Sequence, residues 1–362
     1  MTGTVNPTDV TEVVREPVRG GHIPAELLGF AGIDLLRLLM TQHVQWPPIA
    51  YLTGIRFTEV GAGTATFTMP ITDWLKTPQG IVTGGEVAIL ADGPLGCAVH
   101  SVLPPGAGYT TTELSISMVR PVPASGHLVA RGSVVHGGRQ LALSEVYITD
   151  DAGRLIAHGT SRCFLFRGPG DPPSAPTDIG APHRNDLDGW VPPYRRPALG
   201  TVLDSEIWSS QSGLDIMDGL ITGALPAPPL AYLLGARPVD AAAGRCVFQL
   251  PATEWLTSPL GLVEGGVTAC VAELALASAV QTTVPAGTAY APTDLHVQFL
   301  RPVPADGAML TATGTVVHRG RTIAVARADV VNAAGKPVAT ATGSAVILPG
   351  RRADLRDQAD PA

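Results

Sequence analysis

The chain has 362 residues, 45% of them apolar and 15% charged, which is enough to bury two domain cores and excludes wholesale disorder. Its formal net charge of −7 leaves no electrostatic footprint for nucleic acid. Aromatic residues are only 5%, so stacking platforms for bases or sugars are not the theme.

The opening MTGTVNPTDVTEVVREP lacks the apolar h-region of a secretory signal. No apolar run approaches the roughly 20 residues of a membrane span, so a cytoplasmic protein without membrane contact is expected. Cys97, Cys163, Cys246 and Cys270 fall in no CxxC pair and near no His at ligand spacing, so no metal site is expected.

A shift of 181 residues lays the chain on itself. From Pro48 to Ala124, 33 of 77 positions are then identical. PPIAYLTG (47–54) falls on PPLAYLLG (228–235), and TDWLKTPQGIVTGG (72–85) on TEWLTSPLGLVEGG (253–266). After Ala124 the register becomes 182, and VVHGGR (134–139) meets VVHRGR (316–321). The chain is a tandem duplication. The expected division is a frayed tail over 1–27, domain 1 over 28–168, a Pro/Gly-rich linker over 169–203, domain 2 over 204–349 and a second tail over 350–362.

Each copy has one layout. A short amphipathic helix opens it, over 32–40 or 213–221. A hairpin follows over 55–70, turned by GAG. A GG pair then starts an apolar helix, 84–103 or 265–284. In copy one Pro94 inside that helix predicts a kink or break. Three long strands close the unit, YTTTELSISMVRP, LVARGSVVHGGRQLALSEVYITD and RLIAHGTSRCFLF. About five antiparallel strands around one helix that is apolar nearly all round make an α+β unit, with the helix wrapped by the sheet.

A GG-opened helix with an acid seven residues later, a strand ending in RP and a later VVHxGR strand occur in order, twice. The pattern resembles the hotdog-fold acyl-CoA thioesterases of the PaaI-like group. That resemblance implies two hotdog units joined as an intrachain pseudo-dimer, each an antiparallel sheet wrapped around a central helix. It places the sites at the seam, where one unit gives the helix N-terminus and the other the acid.

Carried over residue by residue, the resemblance makes Asp92 and Glu273 the base or nucleophile. The amides of Gly84 and Gly265, with Gly85 and Gly266 behind them, become the oxyanion donors. In the family motif N-P-x-G-x-x-H-G-G, the Asn position holds Thr77 and Ser258, and the His position holds Thr83 and Glu264. Thr111 approximates a water-orienting hydroxyl, and Pro292 stands at its place in copy two. Arg120, Arg139, Arg301 and Arg321 would hold CoA phosphates. The substrate would be an acyl-CoA or acyl-carrier thioester, with no cofactor besides CoA as part of it, and the chain would form a homo-oligomer. The seam of Asp92, Thr111, Gly265, Glu264 and Ser258 is expected to outperform that of Glu273, Pro292, Gly84, Thr83 and Thr77.

Blander readings stand beside these. GG permits a tight turn and close packing, a mid-helix acid can tie two units together, and surface arginines are commonly just solvated. A dehydratase or other biosynthetic enzyme on this fold, and an acyl-thioester binder that has lost catalysis, remain alternatives.

Overall fold

A computed structural model of the chain describes residues 9–167, 174–183 and 189–348. The second expected tail, 350–362, the first eight residues of the first, and parts of the expected linker, 169–173 and 184–188, lie outside the described residues.

The first copy runs α1 (Gly32–Met40), α2 (Pro48–Thr53), β1 (Arg56–Gly61), β2 (Thr64–Pro70), α3 (Gly84–His100), β3 (Ala107–Met118), β4 (His127–Gly137), β5 (Leu141–Asp150) and β6 (Leu155–Arg167). The second runs α4 (Ser205–Ser210), α5 (Gly213–Thr222), α6 (Pro229–Leu234), β7 (Arg237–Ala242), β8 (Arg245–Pro251), α7 (Gly265–Gln281), β9 (Ala289–Phe299), β10 (Met309–Arg319), β11 (Ile323–Val331) and β12 (Pro337–Leu348).

The twelve strands form one antiparallel sheet, ordered β1-β2-β4-β5-β6-β3-β9-β12-β11-β10-β8-β7. Each half has six strands where about five were expected. The segment LVARGSVVHGGRQLALSEVYITD, read as a single strand, is the hairpin β4–β5. Its Gly138 amide donates to the Leu141 carbonyl at 2.8 Å, because paired glycines offer no side chains to hold the strand straight.

β3 and β9 join the halves, with Ser115 opposite His296. These two residues are equivalent under the 181-residue shift, so a pseudo-twofold axis passes between them. Joining the halves here pairs what would otherwise be a long open edge on each.

α3 and α7 lie side by side against this sheet, and most of their residues are buried. Pro94 does not break α3, which runs unbroken from Gly84 to His100. One lost main-chain bond is offset by contact with the sheet and α7 on all sides. The second glycine of each pair sets how closely the helices cross. A Cβ on Gly266 would stand 2.4 Å from the Ala88 carbonyl oxygen, and one on Gly85 3.0 Å from the Cys270 Cα. Gly85 and Gly266 thus allow the close crossing of the two helices.

The first tail does not fray over its described part. Val10, Val13 and Val14 are buried, and a 3₁₀ turn forms over Val13–Arg15. The end of the expected linker mirrors it 180 residues later with a 3₁₀ turn over Pro193–Arg195. Both segments are straps that cross to the other copy. Trp255 donates to the Glu16 carbonyl at 2.9 Å, and Trp74 to the Arg196 carbonyl at 3.0 Å. The Ile23 amide reaches the Pro259 carbonyl at 2.8 Å, and the Leu203 amide the Pro78 carbonyl at 3.0 Å. On the pseudo-axis the straps meet each other through Arg196 and Glu16, paired by two hydrogen bonds of 2.5 and 2.9 Å. The repeating units thus extend upstream of 28 and 204.

Candidate active site

Two seams are built as the resemblance implied, each from one helix N-terminus and the other copy's acid. At the first, the Gly266 amide donates to Asp92 Oδ2 at 3.1 Å. A Cβ on Gly265 would stand 2.9 Å from the same oxygen, so the first glycine leaves room for the carboxylate. Burial pushes the Asp92 carboxyl up to about 6, against the pull of the Gly266 and Gly265 amides. Glu264 caps α7 beside it, and burial reinforced by the Asp92 charge holds its carboxyl well above the usual range. The Glu264 Oε2 atom is buried without a partner.

At the second seam, Glu273 Oε2 accepts from the Gly85 amide at 2.6 Å and from the Thr83 hydroxyl at 2.5 Å. Burial raises its carboxyl above the ordinary value, while Thr83, Gly85 and Gly84 pull the other way. Its second oxygen, Oε1, is buried and unpartnered. Glu86, fully buried one residue after the glycine pair, stands behind Thr83. Its Oε2 accepts from the Thr83 amide at 2.5 Å and lies 2.9 Å from the Thr83 hydroxyl oxygen.

Sequence reasoning passed over Glu86. The readable signal was the Thr83-x-x-Glu86 spacing of a capping box, here buried rather than exposed.

The seams differ most in empty space. A cavity of about 80 Å³ opens beside Glu273. Thr77, Gln79 and Thr83 of copy one form part of its wall, and apolar residues such as Met217, Leu220 and Phe248 of copy two form much of the rest. Along α7 the wall takes Glu273, Leu274, Ala277, Ser278 and Gln281, a single helical face. Pro292 lines it too, and Tyr290 donates to Gln281 Oε1 at 2.8 Å.

None of Asp92, Gly265 or Glu264 borders this cavity. At the Asp92 seam the matching positions are filled. Phe57, at the place of Pro238, stacks on Phe67 with ring centroids 4.5 Å apart. Phe67 in turn lies 3.1 Å from where a Gly93 Cβ would be. The expectation that the Asp92 seam is the more capable one thus meets an observation pointing the other way.

Other expected site residues have mixed placements. Thr77 borders the cavity and also donates to the Ile81 carbonyl at 2.9 Å. Ser258 accepts from the Leu260 amide at 3.4 Å within its own turn. Thr111 stands opposite Cys163 in the β3–β6 pairing. Arg120 donates to the Leu155 carbonyl at 2.8 Å and Arg301 to that of Pro337, so both tie down neighbouring chain. Arg139 and Arg321 are exposed in the hairpins after β4 and β10. Among the described residues, no three His, Cys, Asp or Glu side chains gather as metal ligands, and no helix is long and apolar enough to cross a membrane.

Comparison with known proteins meets this geometry. Residues 79–157 and 260–339 each match the family model of the thioesterase superfamily. A curated relative named as an esterase, from Halobacterium salinarum, is 37% identical over 84 residues. That match covers 23% of this chain and 54% of the relative, so it spans about half the relative's length. Among solved structures, the TesB protein of Mycobacterium avium subsp. paratuberculosis aligns at a TM-score of 0.52 and 15% identity, over 83% of this chain and 98% of its own. An acyl-CoA thioesterase II, TesB2, of Mycobacterium marinum aligns at 0.50 and 14%, over the same 83% and 98%. At such identities the likeness speaks to the fold. With a match in each copy and one sheet wrapped along two buried helices, this chain is a tandem pair of hotdog units that resembles the thioesterase superfamily.

Proposed function

We propose that the protein hydrolyses an acyl-CoA thioester to free acid and thiol, and that turnover runs at the Glu273 seam. The observation that carries this reading is a buried carboxylate, held by a helix N-terminus, in the wall of an otherwise largely apolar cavity. A thioester whose acyl chain fills the cavity would bring its carbonyl to Glu273 and the Gly84–Gly85 amides. The Gly84 amide and the dipole of α3 would stabilise the oxyanion as Glu273, itself held by the Gly85 amide, attacks the carbonyl or deprotonates a water. Unpartnered Oε1 is the oxygen free to do so. From Glu273 to Gln281 the wall follows α7 for eight residues, about 12 Å of helix rise, which suits an acyl chain of medium length. Of the four arginines, Arg321 suits the CoA phosphates best. It is exposed, and the adjoining Thr322 carbonyl accepts from Ile347, which pairs with Tyr290 of the cavity wall.

The test is thiol release from acyl-CoAs of graded length, with the wild-type chain and with Glu273→Gln. Release that peaks at one length and drops at least about 10²-fold in the variant, the scale of a lost base, supports the reading. Release from no member of the series, or full retention by Glu273→Gln, would sink it.

A further inference from the structure

We propose that Glu86 is a positioning residue for Glu273, acting in its protonated form through the Thr83 hydroxyl. This rests on the reading that Glu273 is the reacting carboxylate. The argument begins with counting protons. The Thr83 hydroxyl oxygen lies 2.9 Å from Glu86 Oε2 and 2.5 Å from Glu273 Oε2. Two close oxygen–oxygen contacts need two hydrogens, and the hydroxyl has one. The second hydrogen belongs to a carboxyl.

Surroundings decide which one. Each Oε2 receives one main-chain amide, Gly85's at Glu273 and Thr83's at Glu86, so those bonds alone do not separate the two. Glu86 has no exposed surface, and its other oxygen faces only the Cys270 thiol at 3.9 Å. The remaining groups facing the pair are Asp294 and Tyr290 from β9, and none of these groups is a cation. Burial, with the Glu273 charge adding to it, pushes the Glu86 carboxyl up to about 8. The proton therefore sits on Glu86. The chain reads Glu86 carboxyl to Thr83 hydroxyl to Glu273 carboxylate, each donating to the next, with the Gly85 amide closing the far side.

The consequence is directional. While Glu86 is neutral, it can only push the Thr83 hydrogen toward Glu273, fixing that carboxylate against the helix terminus. When pH rises through about 8 and Glu86 ionises, it competes for the same hydrogen and Glu273 loses its anchor. The other copy cannot do this, because Glu264 replaces Thr83 and Val267 replaces Glu86.

The experiment follows kcat and KM against pH for thiol release from the best acyl-CoA, in the wild type, Glu86→Gln, Glu86→Val and Thr83→Val. A glutamine keeps the size of the neutral acid and removes its ionisation. The wild type is expected to lose kcat above pH about 8. Glu86→Gln should lose less than about threefold at pH 7 and show no alkaline descent. Glu86→Val and Thr83→Val should each lower kcat about tenfold or more while KM moves less than about twofold, and Thr83→Ser should rescue the latter. An alkaline descent unchanged in Glu86→Gln, or wild-type kcat in a folded Thr83→Val, would overturn the proposal. If Glu273→Gln keeps full activity, the reading beneath it fails instead.

Discussion

The two seams began as copies and now solve different problems. Both place a carboxylate on the amides of a glycine pair, and both add a second buried carboxyl nearby, Glu264 at one and Glu86 at the other. The Glu273 seam adds a hydroxyl bridge and a cavity. At the Asp92 seam, stacked Phe57 and Phe67 occupy matching volume. The carboxylate and its amides are retained with or without room for a ligand, so they also serve to hold the two copies together.

The comparison breaks first on mutation of the acids. Glu273→Gln is expected to cut thiol release at least about 10²-fold, and Asp92→Asn less than about twofold. Equal losses in the two would restore two equivalent sites. The glycine pairs sharpen it next. Gly266→Ala drives a Cβ into main chain at 2.4 Å, whereas Gly85→Ala meets its nearest main-chain atom at 3.0 Å. By chemical denaturation, Gly266→Ala should destabilise by about 3 kcal/mol and Gly85→Ala by about 1 kcal/mol, the range of overpacked cores. Exchanging the volume comes third. Pro238→Phe installs the copy-one residue beside the cavity and should lower kcat/KM for the longest accepted acyl-CoA about tenfold, with less effect on the shortest. Unchanged length preference would show that the cavity is not the acyl site.

The smallest effect lies between the straps. Arg196 holds the Glu16 carboxyl below its usual range, so the pair stabilises the fold above the ordinary carboxylate pKa and is lost as pH falls through the lowered value. Both side chains are about a quarter exposed, and Glu16→Gln should cost no more than about 1 kcal/mol at pH 7 and nothing near pH 2.

What the sequence revealed follows from where information is local. The duplication and the two-helix layout were legible, because fixed spacing survives divergence, and the cross-seam pairing of acids with glycines followed from the family resemblance. The joined sheet followed from the cost of open edges. The straps were illegible, since their two copies share little beyond Pro17 with Pro197 and Gly20 with Gly200. The β4–β5 reversal hid in a run whose glycines looked like strand interior. Which seam is open depends on Phe57 against Pro238 and Gly93 against Leu274, volumes that acquire meaning only once the units face each other.

The ion pair between the straps has a historical reading. Glu16 and Arg196 hold equivalent places and touch each other on the pseudo-axis. In an assembly of two identical chains that place would bring glutamate against glutamate or arginine against arginine. Covalent fusion lifted this restriction and let opposite charges evolve at one position. Either half expressed alone would meet its own charge there on self-pairing, so this one contact favours the fused arrangement over a symmetric pair, by the small margin of a partly exposed ion pair.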